Sequence, residues 1–209
     1  MKEINQFKLI LCVLATTCML LLLPSSWAEN DASDNPEQVI RDLQTALIQA
    51  MREGDKMNFQ QRFDFLAPII NQSHHFDVII RTVLGGNWDQ LDSDQQRLIS
   101  DTFRQLSIAT YAGQFKEYGG EQFEIVQQRS LPREQVLIRS QLTKADKSTV
   151  DFDYVLQQGN DGWQIVNILV DGVSDLALKR SEYRNILQRD GFQALIDLLK
   201  EKILLAENG

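Results

Sequence analysis

The chain has 209 residues with 21 basic and 29 acidic side chains, a formal charge of −8 and the wrong sign for gripping nucleic-acid phosphates or anionic membranes. Its two cysteines, Cys12 and Cys18, fall within the first 28 residues, so the remainder can hold no disulfide, cysteine ligand or cysteine nucleophile. With 43% hydrophobic residues and no low-complexity tract, that remainder reads as a folded globule.

Lys2 and Lys8 bracket a polar start, an apolar run fills residues 9–23, and Pro24 with Ser26-Trp27-Ala28 supplies a helix breaker and a small-residue cleavage site. The run is shorter than the roughly 20 residues that span a bilayer. The pattern predicts a cleavable export signal over 1–28, cut before Glu29. Thr17, directly before Cys18, is not the small residue of a lipobox, so the exported chain is expected free rather than lipid-anchored. Residues 29–209 then form a single domain with a net charge near −9, residues 29–35 being its leader.

Asn35-Pro36 is a helix start, and Val39, Leu43, Ala46, Leu47 and Ala50 keep a helical stripe until Gly54. A second helix is predicted over about 58–66, stopping near Pro68, and a third over about 76–84, ended by Gly85-Gly86. Ser93 and Gln96 form a capping box that opens the longest helix, predicted to reach Tyr118 and stop at Gly119-Gly120. The period then changes. Strands are predicted over 121–129, 135–143, 149–157 and 163–170, separated by short turns, which makes an antiparallel meander. In the third, Val150, Phe152, Tyr154 and Leu156 alternate with Asp151 and Asp153, giving a dry face and a wet one. After Asp171-Gly172 the helical period returns through Leu176, Tyr183, Ile186 and Leu187, then through Phe192, Leu195, Ile196, Leu199 and Ile203. Helices, sheet, helices is the order of an α+β domain: a four-stranded antiparallel meander covered on one face by its N- and C-terminal helices.

Chemistry is scarce. The chain has no G-x-S-x-G elbow, P-loop, G-x-G-x-x-G or H-E-x-x-H. His74 and His75 are adjacent, so on a helix they would diverge by about 100°, poor geometry for sharing a metal, and they read as an exposed pair. Asp151 and Asp153 could serve as a glycosidase-like carboxylate pair, but their alternation is that of a solvated face. Gly172-Val173-Ser174 lacks the second glycine of a nucleophile elbow. No catalytic residue, metal or cofactor is expected, and the protein is not expected to be an enzyme. Apolar surface, by contrast, is in excess. Leu98, Ile99, Phe103, Leu106, Ile108, Tyr111, Ala112, Phe115 and Tyr118 spread wider than one stripe on the long helix. Strict alternation puts Trp163, Ile165 and Leu169 on one face of the fourth strand, and Val166, Ile168 and Val170 on the other. A thick helical layer or a cavity for an apolar ligand would each account for this.

The run Val83-Leu84-Gly85-Gly86-Asn87-Trp88, then Ser93-Asp94-Gln95-Gln96, Phe103-Arg104, Thr110-Tyr111 and Tyr118-Gly119-Gly120-Glu121 resembles the MlaC-type phospholipid-binding proteins, the toluene-tolerance family. Asp151-Phe152 with Tyr154, Gly162-Trp163-Gln164-Ile165, Asp171-Gly172-Val173-Ser174 and Ser181-Glu182-Tyr183 continue the likeness, which covers about residues 63–205. Such a resemblance implies a soluble periplasmic lipid carrier serving outer-membrane lipid asymmetry. Its expected partners are an outer-membrane lipoprotein complex and an inner-membrane ABC transport system of ATPase, permease and membrane-anchored lipid-binding subunit. The carrier itself would be a monomer, with acyl chains in a pocket between sheet and helices and the headgroup near solvent. The stretch 69–75 and the wording of 108–112 and 180–183 are closer to the hopanoid-associated HpnM branch, so a hopanoid-like lipid is the alternative cargo.

The residues expected to line the pocket are Ile80, Val83, Leu84 and Trp88 around the third helix, and Phe103, Tyr111 and Phe115 on the fourth. To these the sheet adds Val136, Ile138, Phe152, Tyr154, Trp163 and Ile165, and the C-terminal region Val173, Leu176 and Tyr183. Gly85 and Gly86 are expected to end a helix, and that helix or the loop at His74 to be the part that deforms. The competing readings are an enzyme on a cone-shaped α+β fold, with Asp151, Asp153 or a histidine as base, and a scaffold whose apolar face meets a protein.

Overall fold

Asn35 opens the first helix, its side chain accepting a hydrogen bond from the Glu37 amide at 3.0 Å, with Pro36 at the first position where no N–H is needed. The computed structural model describes residues 35–209; the predicted export signal and its cleavage site lie outside them. Helix α1 (Pro36–Arg52) buries Ile40, Leu43, Leu47 and Ala50 along one stripe. Helix α2 (Phe59–Ser73), capped by the reciprocal Asn58/Gln61 box, does not stop at Pro68 but carries it inside. Leu66 and Ile70 on either side of the proline are fully buried. Burial of about 1.5–3 kcal/mol for each such side chain offsets the roughly 3 kcal/mol that an interior proline costs.

Helix α3 (Phe76–Leu84) ends as expected at Gly85, whose φ of 57° suits glycine. Arg184 reaches across to donate from Nε to the Val83 carbonyl at 2.9 Å, satisfying one of the carbonyls a helix end leaves open. After a 3₁₀ segment (Gly85–Gln90) comes helix α4 (Ser93–Gln114). Its cap is Asp92, one residue earlier than predicted. The Asp92 carboxylate accepts from the Asp94 and Gln95 amides, and Gln95 answers the Asp92 amide. Gln96 instead donates to the carbonyls of Trp88 and Leu91. Helix α4 also ends earlier, at Gln114 rather than Tyr118: Phe115 leaves the helical region and its ring turns onto Tyr111 and Phe123.

Beyond that point the backbone runs hard against the α1–α2 connection. A Cβ on Gly54 would fall 1.8 Å from the Lys116 carbonyl oxygen, whereas a Cβ on Gly86 would meet nothing within 4 Å. Gly54→Ala is therefore expected to destabilise the fold by about 2–3 kcal/mol, lowering the thermal midpoint by about 5–10 °C. Gly86→Ala should leave the midpoint almost unmoved. Calorimetry of the two variants side by side tests the contact.

The sheet has five strands, not four, in the order β1 (Gln122–Leu131), β2 (Gln135–Thr143), β3 (Thr149–Gly159), β4 (Gly162–Val170) and β5 (Val173–Ser174), each antiparallel to its neighbour. The two-residue β5 is too short to show a period. It follows a tight turn at Asp171-Gly172 with φ of 49° and 81°, the Asp-Gly signature of a hairpin. Val136, Ile138, Tyr154, Leu156 and Ile165 face the helices. On the far face the cross-strand partners are Leu137 with Val155, Arg139 with Asp153 and Gln141 with Asp151. Opposite Val155 and Leu156 the register of β4 slips by one residue, so that Ile165 pairs with Leu156 and Ile168 with Tyr154. Strict alternation had put Ile165 and Ile168 on opposite faces; the bulge at Val166 turns both toward the helices.

Helix α5 (Asp175–Asn208) contains both C-terminal helices predicted, broken at Gly191, where φ is 86° and ψ 179°. The break folds the second arm back along the first. Lys202 and Glu182 would lie about 30 Å apart on a straight helix, yet Lys202 Nζ is 2.7 Å from both Glu182 carboxylate oxygens.

Candidate functional site

Between the inner face of β3 and β4 and the layer of α3, α4 and α5 lies a cavity of about 580 Å³. The sheet contributes Phe152, Tyr154, Ile165, Val166, Asn167, Ile168 and Val170, and α1 contributes Leu47. Phe76 and Ile79 reach in from α3. From α4 come Phe103, Leu106, Ser107, Thr110, Tyr111 and Gln114, at steps of three and four residues, which mark one helix face, and Phe115 follows as its C-cap. Asp175, Leu176, Leu178, Lys179, Glu182, Tyr183 and Lys202 complete the wall from α5.

A chain of rings follows this wall. Tyr183 meets Phe103 at 6.3 Å, Phe103 meets Phe76 at 6.1 Å, and Phe76 stacks on His74 at 5.5 Å. From His74 the contacts continue through Tyr111, Phe115, Phe123, Phe152 and Tyr154, each 5.6–6.5 Å from the last. Such stacked, tilted and edge-on contacts between rings are individually favourable.

His74 is the residue most misjudged from sequence. Far from being exposed, it is 5% accessible, caps α2 and lines the cavity. Its Nδ1 lies 3.1 Å from the Ile70 carbonyl, which can only accept, and 2.9 Å from the Ser73 hydroxyl, which itself donates to that carbonyl; a proton on Nδ1 serves both acceptors and leaves Nε2 to accept from the Tyr111 hydroxyl at 3.1 Å. The corner is bonded to β4 as well. The His75 amide donates to the Ile165 carbonyl at 2.9 Å, and Gln164 Nε2 to the Gln72 carbonyl at 3.1 Å. The loop expected to deform is thus buried and tied down.

Burial sets the protonation of the lining. It pushes the His74 pKa down to about 4, and it raises the hydroxyls of Tyr111, Tyr154 and Tyr183 above the ordinary tyrosine range. At neutral pH these groups carry no charge. The charged residues on the wall are Asp175, Lys179, Glu182 and Lys202, all from α5.

Of the sixteen residues expected at the pocket, Phe103, Tyr111, Phe115, Phe152, Tyr154, Ile165, Leu176 and Tyr183 line the cavity. The other eight do not. Ile80, Val83, Leu84, Val136 and Ile138 are packed into the core. Trp88 lies in the 3₁₀ segment under the Arg81 guanidinium, 5.2 Å from its ring centre, and Trp163 packs half-buried against the core. Val173 is 54% exposed in β5. Among the lining residues that sequence reasoning missed are His74, Phe76, Ile79 and Leu106, the charged Asp175, Lys179, Glu182 and Lys202, and the polar trio Ser107, Thr110 and Gln114. For the trio, the i, i+3, i+7 spacing on the face of Phe103 was the available signal.

The acidic pair proposed as an alternative catalytic base is occupied elsewhere. Asp153, only 9% accessible despite its place on the supposedly wet face, is held by the Arg139 guanidinium at 2.6 and 2.7 Å. Asp151 accepts from Gln141 at 3.0 Å, and neither carboxylate lines the cavity. Among the described residues no group of three or more His, Cys, Asp or Glu is placed to hold a metal, and no helix is long and apolar enough to cross a membrane.

Known proteins share this architecture. A solved phospholipid-binding protein from Ralstonia solanacearum, in complex with a phospholipid, superposes with a TM-score of 0.71 at 20% identity, covering 82% of this chain and 98% of its own. The toluene tolerance protein ttg2D of Pseudomonas putida is 19% identical over 177 residues, 83% of this chain and 82% of that protein. The sequence model of the MlaC protein family matches residues 41–201, well over half of the chain, and on that match the chain belongs to the MlaC family.

Proposed function

We propose that this protein is a non-enzymatic lipid carrier, which holds the acyl part of a phospholipid in the cavity and moves it through the periplasm between outer- and inner-membrane complexes. The observation that carries this reading is the chemistry of the cavity. Its interior is aromatic and aliphatic with neutral polar groups, and its charge is confined to one helix. Lipid chains in water carry a penalty of about 0.8 kcal/mol per methylene, on the order of 20 kcal/mol or more for two chains. A dry cavity removes most of that penalty and makes transfer through water feasible. The phospholipid named with the Ralstonia protein supports this cargo class, and the predicted export signal supports a periplasmic site of action.

In the periplasm the partners would be an outer-membrane lipoprotein complex and an inner-membrane assembly of ATPase, permease and membrane-anchored lipid-binding subunit. An acidic surface suits that role, because it leaves contact with anionic membranes to the docking partners.

The test is to purify the protein from the periplasm of a Gram-negative host under native conditions, extract it with organic solvent and weigh the extract by mass spectrometry. About one phospholipid per protein is expected. A triterpenoid in its place would assign the cargo to the hopanoid class, and an empty protein that also fails to load from vesicles would end the carrier reading.

A further inference from the structure

All the charged side chains on the cavity wall belong to α5, and they form two opposed pairs. Lys202 is bonded to both carboxylate oxygens of Glu182 at 2.7 Å, and Lys179 is hydrogen-bonded to Asp175. The four side chains remain 24–52% accessible while lining the cavity, so they stand at its rim, where apolar wall meets water. Two cations and two anions make this rim electrically neutral, although the protein is strongly acidic. Pairs at this exposure hold one another weakly, so each lysine and carboxylate can exchange its partner for a ligand group of the opposite charge.

We propose that Asp175, Lys179, Glu182 and Lys202 form a headgroup subsite for a phosphodiester that bears a primary ammonium, the phosphoethanolamine type; this rests on the carrier reading above. The phosphodiester oxygens accept from Lys179 and Lys202. The ammonium donates to Asp175 and Glu182. One headgroup with one charge of each sign thus replaces both internal pairs and leaves the rim neutral. An anionic phosphoglycerol headgroup satisfies the lysines but leaves two carboxylates facing a net negative ligand. A trimethylammonium has no N–H to donate to them, and an uncharged polyol engages neither pair by charge.

The test incubates the purified protein with vesicles containing equal amounts of phosphatidylethanolamine and phosphatidylglycerol of identical acyl composition, then re-isolates it and quantifies bound lipid. An enrichment of phosphatidylethanolamine of about fivefold is expected. The isosteric pair Asp175→Asn with Glu182→Gln leaves Lys179 and Lys202 without their carboxylates, and should abolish the enrichment or reverse it toward phosphatidylglycerol. Soluble phosphoethanolamine should leave the ratio unchanged, because it lacks chains for the cavity. Loading at the vesicle ratio, a preference that survives the double substitution, or displacement of lipid by the soluble headgroup overturns the subsite and leaves the carrier reading standing. Failure to load either lipid overturns the carrier reading itself.

Discussion

Ser107→Trp is expected to cut lipid retention at least tenfold while leaving the fold intact. Ser107 lies on the cavity face of α4, four residues from Phe103 and from Tyr111, and is only half-buried. Its hydroxyl donates to the Phe103 carbonyl of its own helix at 2.9 Å, so its loss breaks no contact between elements. An indole at this position enters the void rather than a packed core, which avoids the strain of overpacking. It occupies space that an acyl chain would need. The thermal midpoint should stay within about 3 °C of the parent protein.

The informative contrast is Ile138→Ala. Ile138 is fully buried on the inner face of β2 but does not line the cavity. Its truncation should cost about 2–5 kcal/mol of stability and leave the lipid bound per folded molecule unchanged. Measuring both quantities on both variants separates cavity from core. Full lipid retention in Ser107→Trp would mean that ligand binds somewhere else.

That contrast also marks how far the sequence could be read. Periods of 3.6 and 2 identified every long helix and strand, because those periods record which side chains leave water. They say nothing of where the packing then falls short. Ile138 and Phe103 therefore looked alike, both apolar on the face between sheet and helices, though only Phe103 borders the void. Local exceptions were lost for nameable reasons. Pro68 sits between two buried residues whose packing overrides its helix-breaking tendency. Asp92 and Ser93 are both capping types, each followed three residues later by a glutamine, and only the structure distinguishes them. The bulge at Val166 inverts the face of every residue after it, and nothing in the strand's composition announces it. The surplus of apolar surface was legible as a cavity or a thick core. Deciding between those two required the tertiary contacts.

Stability should decline between pH 6.5 and about 4 with a component that belongs to His74 alone. Its ordinary pKa of 6.5 falls to about 4 in the fold, because burial penalises the imidazolium and outweighs the hydrogen bond to the Ile70 carbonyl. Above pH 6.5 the ring is neutral in both folded and unfolded chains, and the shift has no effect. As the pH drops below 6.5 the unfolded chain takes up a proton that the folded protein refuses, so unfolding gains about 1.4 kcal/mol per pH unit. Near pH 4 the folded ring protonates too, and the accumulated loss levels off at about 3 kcal/mol.

Carboxylates also titrate at the acid end of this window, so the readout is a difference between parent and His74→Gln in denaturant unfolding from pH 7.5 to 4. Glutamine loses the stack on Phe76, and the variant should start less stable at pH 7.5. Lacking a titrating ring, it should then decline less steeply, and the two curves should converge by about 3 kcal/mol as the pH reaches 4. Parallel curves would mean that the imidazole accepts a proton without disturbing its place between Ile70 and Tyr111. In that case the fold would not hold the pKa of the ring below its ordinary value.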